Sequence, residues 1–287
     1  MPKEQLNSTK LRTPEKKKTL FYSNPVISRL STVDERAVEG DTATYSGITI
    51  KSLYFLLVTF IGLVTYAAIN TFVFMKQETF SFDYVENMTV YCSMPELISM
   101  SLVLVVGIVT QLLACFVLKT TPITGSIYSF AQGYFIGFLA IKVLAGYEYL
   151  ALLALVITIV VVAVMALLYT SGTIKPTKKF RTIMLTLLWT TIGISVICTV
   201  CAFIPFTAPY MQLILSNYQV SIAFSLISIV IAALFLISDF SVIDNTVKNS
   251  LPVKYEWEAA FGLAFTVIWI YIKVLELVIR VFASSKD

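Results

Sequence analysis

The chain has 287 residues, of which 57% are hydrophobic and only 13% charged, with a net charge of +4 and a mean hydropathy of +0.84. Soluble domains carry nearer a quarter of charged residues, so this balance excludes one and belongs to a polytopic membrane protein, sized for one helical bundle. Histidine is absent, which removes serine–histidine and cysteine–histidine catalysis and histidine-held zinc, iron or haem. No enzymatic activity, cofactor, metal centre or nucleic-acid partner is expected.

In chain order, residues 1–47 come first as a polar, basic segment without the apolar core of a secretory signal. They read as a solvated tail touching anionic lipid heads, or as a segment recognised by a partner such as a protease or regulator. Residues 48–287 then read as the transmembrane domain. A bilayer-spanning helix needs roughly 20 apolar residues, and seven runs meet or approach that length: 52–74, 97–118, 123–144, 149–169, 182–206, 220–240 and 257–282. The prediction is an all-α membrane protein, a bundle of seven transmembrane helices, expected as a monomer. The third run is rich in small residues, and Gly133 and Gly137 form a GxxxG step suited to close helix packing. Cys198 and Cys201 have a redox spacing, but their setting "ISVICTVCAFI" makes them small packing residues; Cys92 alone sits in a polar loop.

Lysine and arginine set the orientation. They crowd into the tail and the loops after the second, fourth and sixth runs, including Lys16, Lys17, Lys18, Lys178, Lys179 and Arg181. The opposite side has Lys76, Lys142, Arg280 and Lys286. By the positive-inside rule the N-terminus is cytoplasmic and, with seven spans, the C-terminus is outside.

A charge within a spanning helix costs at least a few kcal/mol and calls for a reason. The last run carries three in "WIYIKVLELVIR": Lys273, Glu276 and Arg280. With Gly262, Thr266 and Trp269 they recur at steps of three and four, forming a stripe that should face the bundle interior or a wet cavity. Lys273–Glu276 and Glu276–Arg280 have the spacing to neutralise each other within the helix, and Arg280 can snorkel outward. The trio is either a self-satisfied structural cluster or part of a functional path. The other anomaly is Asp239, near the end of the sixth run, in a helix that should continue past it. Taken alone, it reads as an interfacial acid that caps the helix or pairs with Lys119 at the end of the second run.

Three stretches together resemble the Bax-inhibitor-one family, the transmembrane Bax inhibitor motif proteins, and in particular the bacterial YccA-like branch. They are "SNPVISRL" ahead of the first run, "SDFSVIDNTVKNSLP" at the end of the sixth, and "YEWEAAFGLAFTVIWIYIKVLELV" across the seventh. The resemblance implies six helices around a central seventh and a multi-pass protein of the bacterial plasma membrane. It implies a passive calcium leak gated by protons through two acids, one on helix six and one on helix seven. It also implies interaction of the bacterial branch with a membrane-bound quality-control protease. Asp239 matches the helix-six acid. Lys273 aligns with the helix-seven acid, and Gln132 stands where relatives often carry glutamate. The expectation is therefore a fixed bridge between Lys273 and Asp239, with Glu276 a turn away as a substitute acid. Such a bridge needs the first turns of helix seven to stand in the interface, since Lys273 is roughly 24 Å along the helix from Trp257. The leading functions are a pH-modulated leak for calcium or protons and a non-conducting regulator that binds membrane proteases or other membrane proteins; a coupled transporter stays open, although no half-helix or inverted repeat is visible.

Overall fold

The structure, a computed structural model, describes residues 41–85, 88–174, 176–203 and 218–284. Most of the basic tail expected over residues 1–47 lies outside them. Seven α-helices follow in chain order among the described residues: α1 Tyr45–Phe72, α2 Met94–Phe116, α3 Thr121–Phe138, α4 Tyr149–Thr170, α5 Lys178–Phe203, α6 Tyr218–Lys248 and α7 Lys254–Ser284. Five of them (α1, α2, α4, α6 and α7) contain stretches long and apolar enough to cross a membrane. Their outward faces are apolar: Leu53, Leu57 and Phe60 on α1 and Leu152, Val156 and Ile159 on α4 are all exposed. A surface of that kind is at home in lipid, where helices satisfy their backbone groups internally.

Contacts sort the helix ends into two sets. At one end the starts of α1 and α7 meet the ends of α4 and α6, through Tyr45–Asp244, Tyr169–Asp244 and Lys51–Glu256. At the other, the end of α1 meets the start of α2 and the segment after α3 through Tyr66–Glu96 and Lys142–Glu96. Tyr271 of α7 donates to the Ala151 carbonyl at the start of α4 on this second side. Consecutive helices in these sets therefore run in opposite directions.

Helix α7 packs against α6, α1, α4 and α3, which makes it the hub of the bundle. By burial, however, α6 is the more enclosed: 67% of its apolar stretch is buried, against 44% in α7. The seventh helix, expected at the centre, is thus less enclosed than α6, because α7 keeps a partly open flank from Trp269 to Arg280.

The glycines of α3 act as expected. A Cβ at Gly133 would overlap the Thr59 carbonyl of α1, and one at Gly62 of α1 would overlap the Phe130 carbonyl of α3. Two helix backbones touch here, as small-residue packing allows. Beside this seam, Phe55, Tyr128 and Phe261 meet edge to face and fill the first end of the core.

Two features have no counterpart among the elements expected from the sequence. Between α1 and α2, β1 (Thr79–Val85) pairs antiparallel with β2 (Met88–Ser93), forming a hairpin at the second end. Helix α3 also runs on into a π-helical turn, Leu139–Val143. Such a turn inserts an extra residue and re-aims the side chains beyond it, here Lys142.

Candidate functional site

Asp239 lies inside α6 rather than at its tip. The helix continues to Lys248, about 13 Å further on, as expected. The side chain is fully buried, and Oδ2 accepts a hydrogen bond from the Thr266 hydroxyl of α7 at 2.5 Å. Oδ1 has no hydrogen-bond partner, and no cation forms an ion pair with the carboxyl among the described residues. Thr266 sits near the middle of α7 and also donates to its own Gly262 carbonyl, a bond natural to threonine in a helix. At the α6–α7 interface Asp239 thus faces the Thr266 hydroxyl, with Leu236, Ile237, Val242 and Ile270 all buried around them.

The expected bridge from Lys273 to Asp239 is not formed. Lys273 donates to Glu276 Oε2 at 2.9 Å within its own helix, and both side chains remain about a quarter exposed, at 26% and 27%. The residue facing Asp239 is Thr266, about two helical turns before Lys273, so Lys273 is too far along α7 to reach it. Glu276, spent on Lys273, does not stand in as the facing acid. Arg280 is half-buried near the end of α7, and among the described residues it has no ion pair. The i,i+4 bond expected to Glu276 is displaced by the i,i+3 bond to Lys273. Lys119 is exposed and does not pair with Asp239. Gln132 is half-buried on α3, facing Gly107 of α2; it lies away from the α6–α7 interface. The structure thus brings none of Lys273, Glu276, Arg280, Gln132 and Lys119 to Asp239, and supplies Thr266 in their place.

Three further polar clusters occupy the two ends. At the first, the Glu256 carboxylate takes the Thr44 N–H at 2.7 Å and the Lys51 ammonium. Beside it, Asp244 accepts from Tyr45 at 2.8 Å, from Tyr169 at 3.0 Å and from Lys248 at 2.6 Å. At the second end Glu96 is fully buried in the first turn of α2. It accepts from the Tyr66 hydroxyl and from the Ser93 N–H at 3.3 Å, completing a capping box. Lys142, aimed inward by the π-turn, lies 3.2 Å from its Oε2 and 3.3 Å from the Tyr91 carbonyl. Cys92 is buried beside this pair; burial first, and the Glu96 charge second, push its thiol up to about 11. The Glu96–Lys142 pair joins residues far apart in sequence, and the signal that could have found Glu96 was the capping box Ser93-x-x-Glu96.

Apolar-faced helices around buried acids and ion pairs define a multi-pass membrane protein. A family model described as Bax inhibitor 1 like matches residues 24–283, and the chain belongs to that family. No curated protein and no solved structure matched it.

Proposed function

We propose that the protein is a pH-modulated ion leak for calcium or protons, with Asp239 as its titrating group and the α6–α7 interface as its gate. The observation that carries this reading is the Asp239 carboxyl, fully buried with one oxygen bonded to Thr266 and the other without a hydrogen-bond partner. An ionised carboxylate in such a place needs water or a cation to offset the loss of solvation. A neutral one can stay packed against Thr266. Proton release would thus favour parting of α6 from α7 and entry of a cation, and proton uptake would favour closure.

The remaining parts of the reading rest on sequence and family. All seven helices span the bilayer, with the basic end that carries Lys51, Lys248 and Lys254 in the cytoplasm. The alternation of helix directions supports that count. The protein acts as a monomer in a bacterial plasma membrane, in the YccA-like branch, and has no enzymatic role. One observation favours a second reading, a non-conducting regulator that binds a membrane protease: the residue facing Asp239 is a threonine, not a second acid.

Calcium and proton flux through purified protein in liposomes tests the choice. At about pH 8 wild type should leak several-fold faster than at about pH 6, and Asp239→Asn should lose that difference. No flux above protein-free vesicles at either pH would leave the regulator reading.

A further inference from the structure

We propose that Glu256 is a positioning residue for the α6–α7 gate: by clamping the first turn of α7 to the start of α1, it holds Thr266 in register with Asp239. The proposal rests on the gate reading above.

Glu256 is 3% exposed, in the first turn of α7. Its Oε1 accepts from the Thr44 N–H at 2.7 Å and from the Thr44 hydroxyl at 3.2 Å, and its Oε2 takes the Lys51 ammonium. Lys51 also lies over the Trp257 ring, 5.3 Å from its centroid. The carboxylate can lie against α1 because residue 47 is glycine; a Cβ there would overlap it. The chain just before α1 is bonded to the turn between α6 and α7 as well. Ala43 N–H donates to the Leu251 carbonyl at 2.7 Å, and Val253 N–H donates to the Asp41 carbonyl at 3.1 Å. Tyr45 then reaches the end of α6 through Asp244.

Residues 41–51 therefore grip both sides of the α6–α7 turn, the end of α6 through Asp244 and the start of α7 through Glu256. A helix start needs only water or one side-chain acceptor for its free N–H groups. Here a carboxylate from another helix reaches the N-cap of α1, and the α1 lysine returns to it. Helices are stiff along their axes, so the first turn of α7 and Thr266, about 15 Å along, move together. Releasing the clamp tilts α7 against α6 and parts Thr266 from Asp239.

The test reads the packing of the gate without requiring conduction. Ser238, 1% exposed beside Asp239, is replaced by cysteine in full-length protein whose four native cysteines are changed to serine or alanine. Its labelling by a water-soluble maleimide is then timed. Glu256→Ala and Lys51→Met should each speed labelling by about tenfold or more, as expected for a local opening. Glu256→Gln, which keeps an acceptor for Thr44, should fall between them and the parent. Glu96→Gln, at the far end of the bundle, should leave the rate unchanged. Equal labelling in Glu256→Ala and parent would overturn the proposal, as would equal acceleration by Glu96→Gln, which would mean general loosening. Because labelling needs no ion flux, failure of the leak in liposomes leaves this test readable by itself.

Discussion

The Thr266 hydroxyl of α7 donates to Asp239 of α6 at 2.5 Å, across the interface between the two helices. Two acids facing each other would share a proton and titrate as a pair. An acid facing a hydroxyl titrates alone, and the hydroxyl serves either protonation state, donating to the carboxylate or accepting from the acid. On the proposed reading, the contact between Asp239 and Thr266 would therefore respond to a single proton.

That geometry predicts the effect of restoring a second acid, and where it must go. Thr266→Asp puts a carboxyl in contact with Asp239; two such groups cannot both ionise cheaply and will share a proton. Flux in liposomes should then depend on pH more steeply than in wild type between about pH 6 and about pH 8. Lys273→Asp, about two turns away, should leave the steepness of wild type. Steepening in Lys273→Asp but not in Thr266→Asp would return the partner position to 273.

Legibility in the sequence differs by feature. Long apolar runs locate all seven helices, because a membrane span must be apolar for most of its length, but they miss the polar ends that α1 extends to Tyr45 and α6 to Lys248. The close approach at Gly133 is legible for a similar reason: small residues at a four-residue step have few other uses in a spanning helix. The partner of Asp239 is not legible. Charged residues stand out in an apolar run, and Thr266 has no charge to mark it; which turn of α7 meets α6 is decided by tertiary packing. The role of Lys142 is hidden by the π-turn, which shifts register where helical periodicity assumes none. The hairpin is written in "TFSFDYV" and "MTVYCS", whose aromatic and β-branched residues suit strands, but the polar loop around them reads first as a connection.

Two of the lysine–glutamate pairs, Lys142–Glu96 and Lys273–Glu276, should differ sharply in worth. Lys142 and Glu96 are 14% and 0% exposed, in different elements, whereas Lys273 and Glu276 are neighbours on one helix with about a quarter of each side chain open. Lys142→Met leaves a buried carboxylate without its cation and should cost on the order of 3–5 kcal/mol. Lys273→Met, which leaves a carboxylate that is only partly buried, should cost less than that. The double variant Lys142→Met/Glu96→Gln should recover part of the loss. Thermal unfolding in detergent measures all three, and equal losses for the two lysine variants would refute the contrast.

The seam between α1 and α3 predicts a position-specific intolerance. Gly133→Ala must push α3 off the Thr59 backbone, at about 1–3 kcal/mol. Among the described residues a methyl group at Gly193 in α5 would meet nothing within 4 Å, so Gly193→Ala should be neutral or, through helix propensity, stabilising by up to about 1 kcal/mol. Denaturation midpoints of the two variants compare them directly. A harmless Gly133→Ala would mean that the helices do not touch there.

Cys92 gives a prediction outside the spanning segments. Its thiol is pushed up to about 11 from an ordinary value of 9.0, first by burial and then by Glu96, with Lys142 pulling the other way. At about pH 7.5 only roughly one thiol in 3,000 would be ionised, against roughly one in 30 for an ordinary cysteine of that value. Alkylation of folded protein should therefore run about a hundredfold slower than that of a denatured chain, before any further slowing by burial. The sign for stability follows from the proton count. The folded state holds this proton more tightly than the unfolded state, so the contribution is complete below about pH 9 and is lost as pH rises towards about 11. Melting temperature should decline across that window, and Cys92→Ala should decline less steeply than wild type. Identical slopes in the two proteins, or rapid labelling of Cys92 at neutral pH without unfolding, would show that the thiol is neither buried nor held protonated beside Glu96.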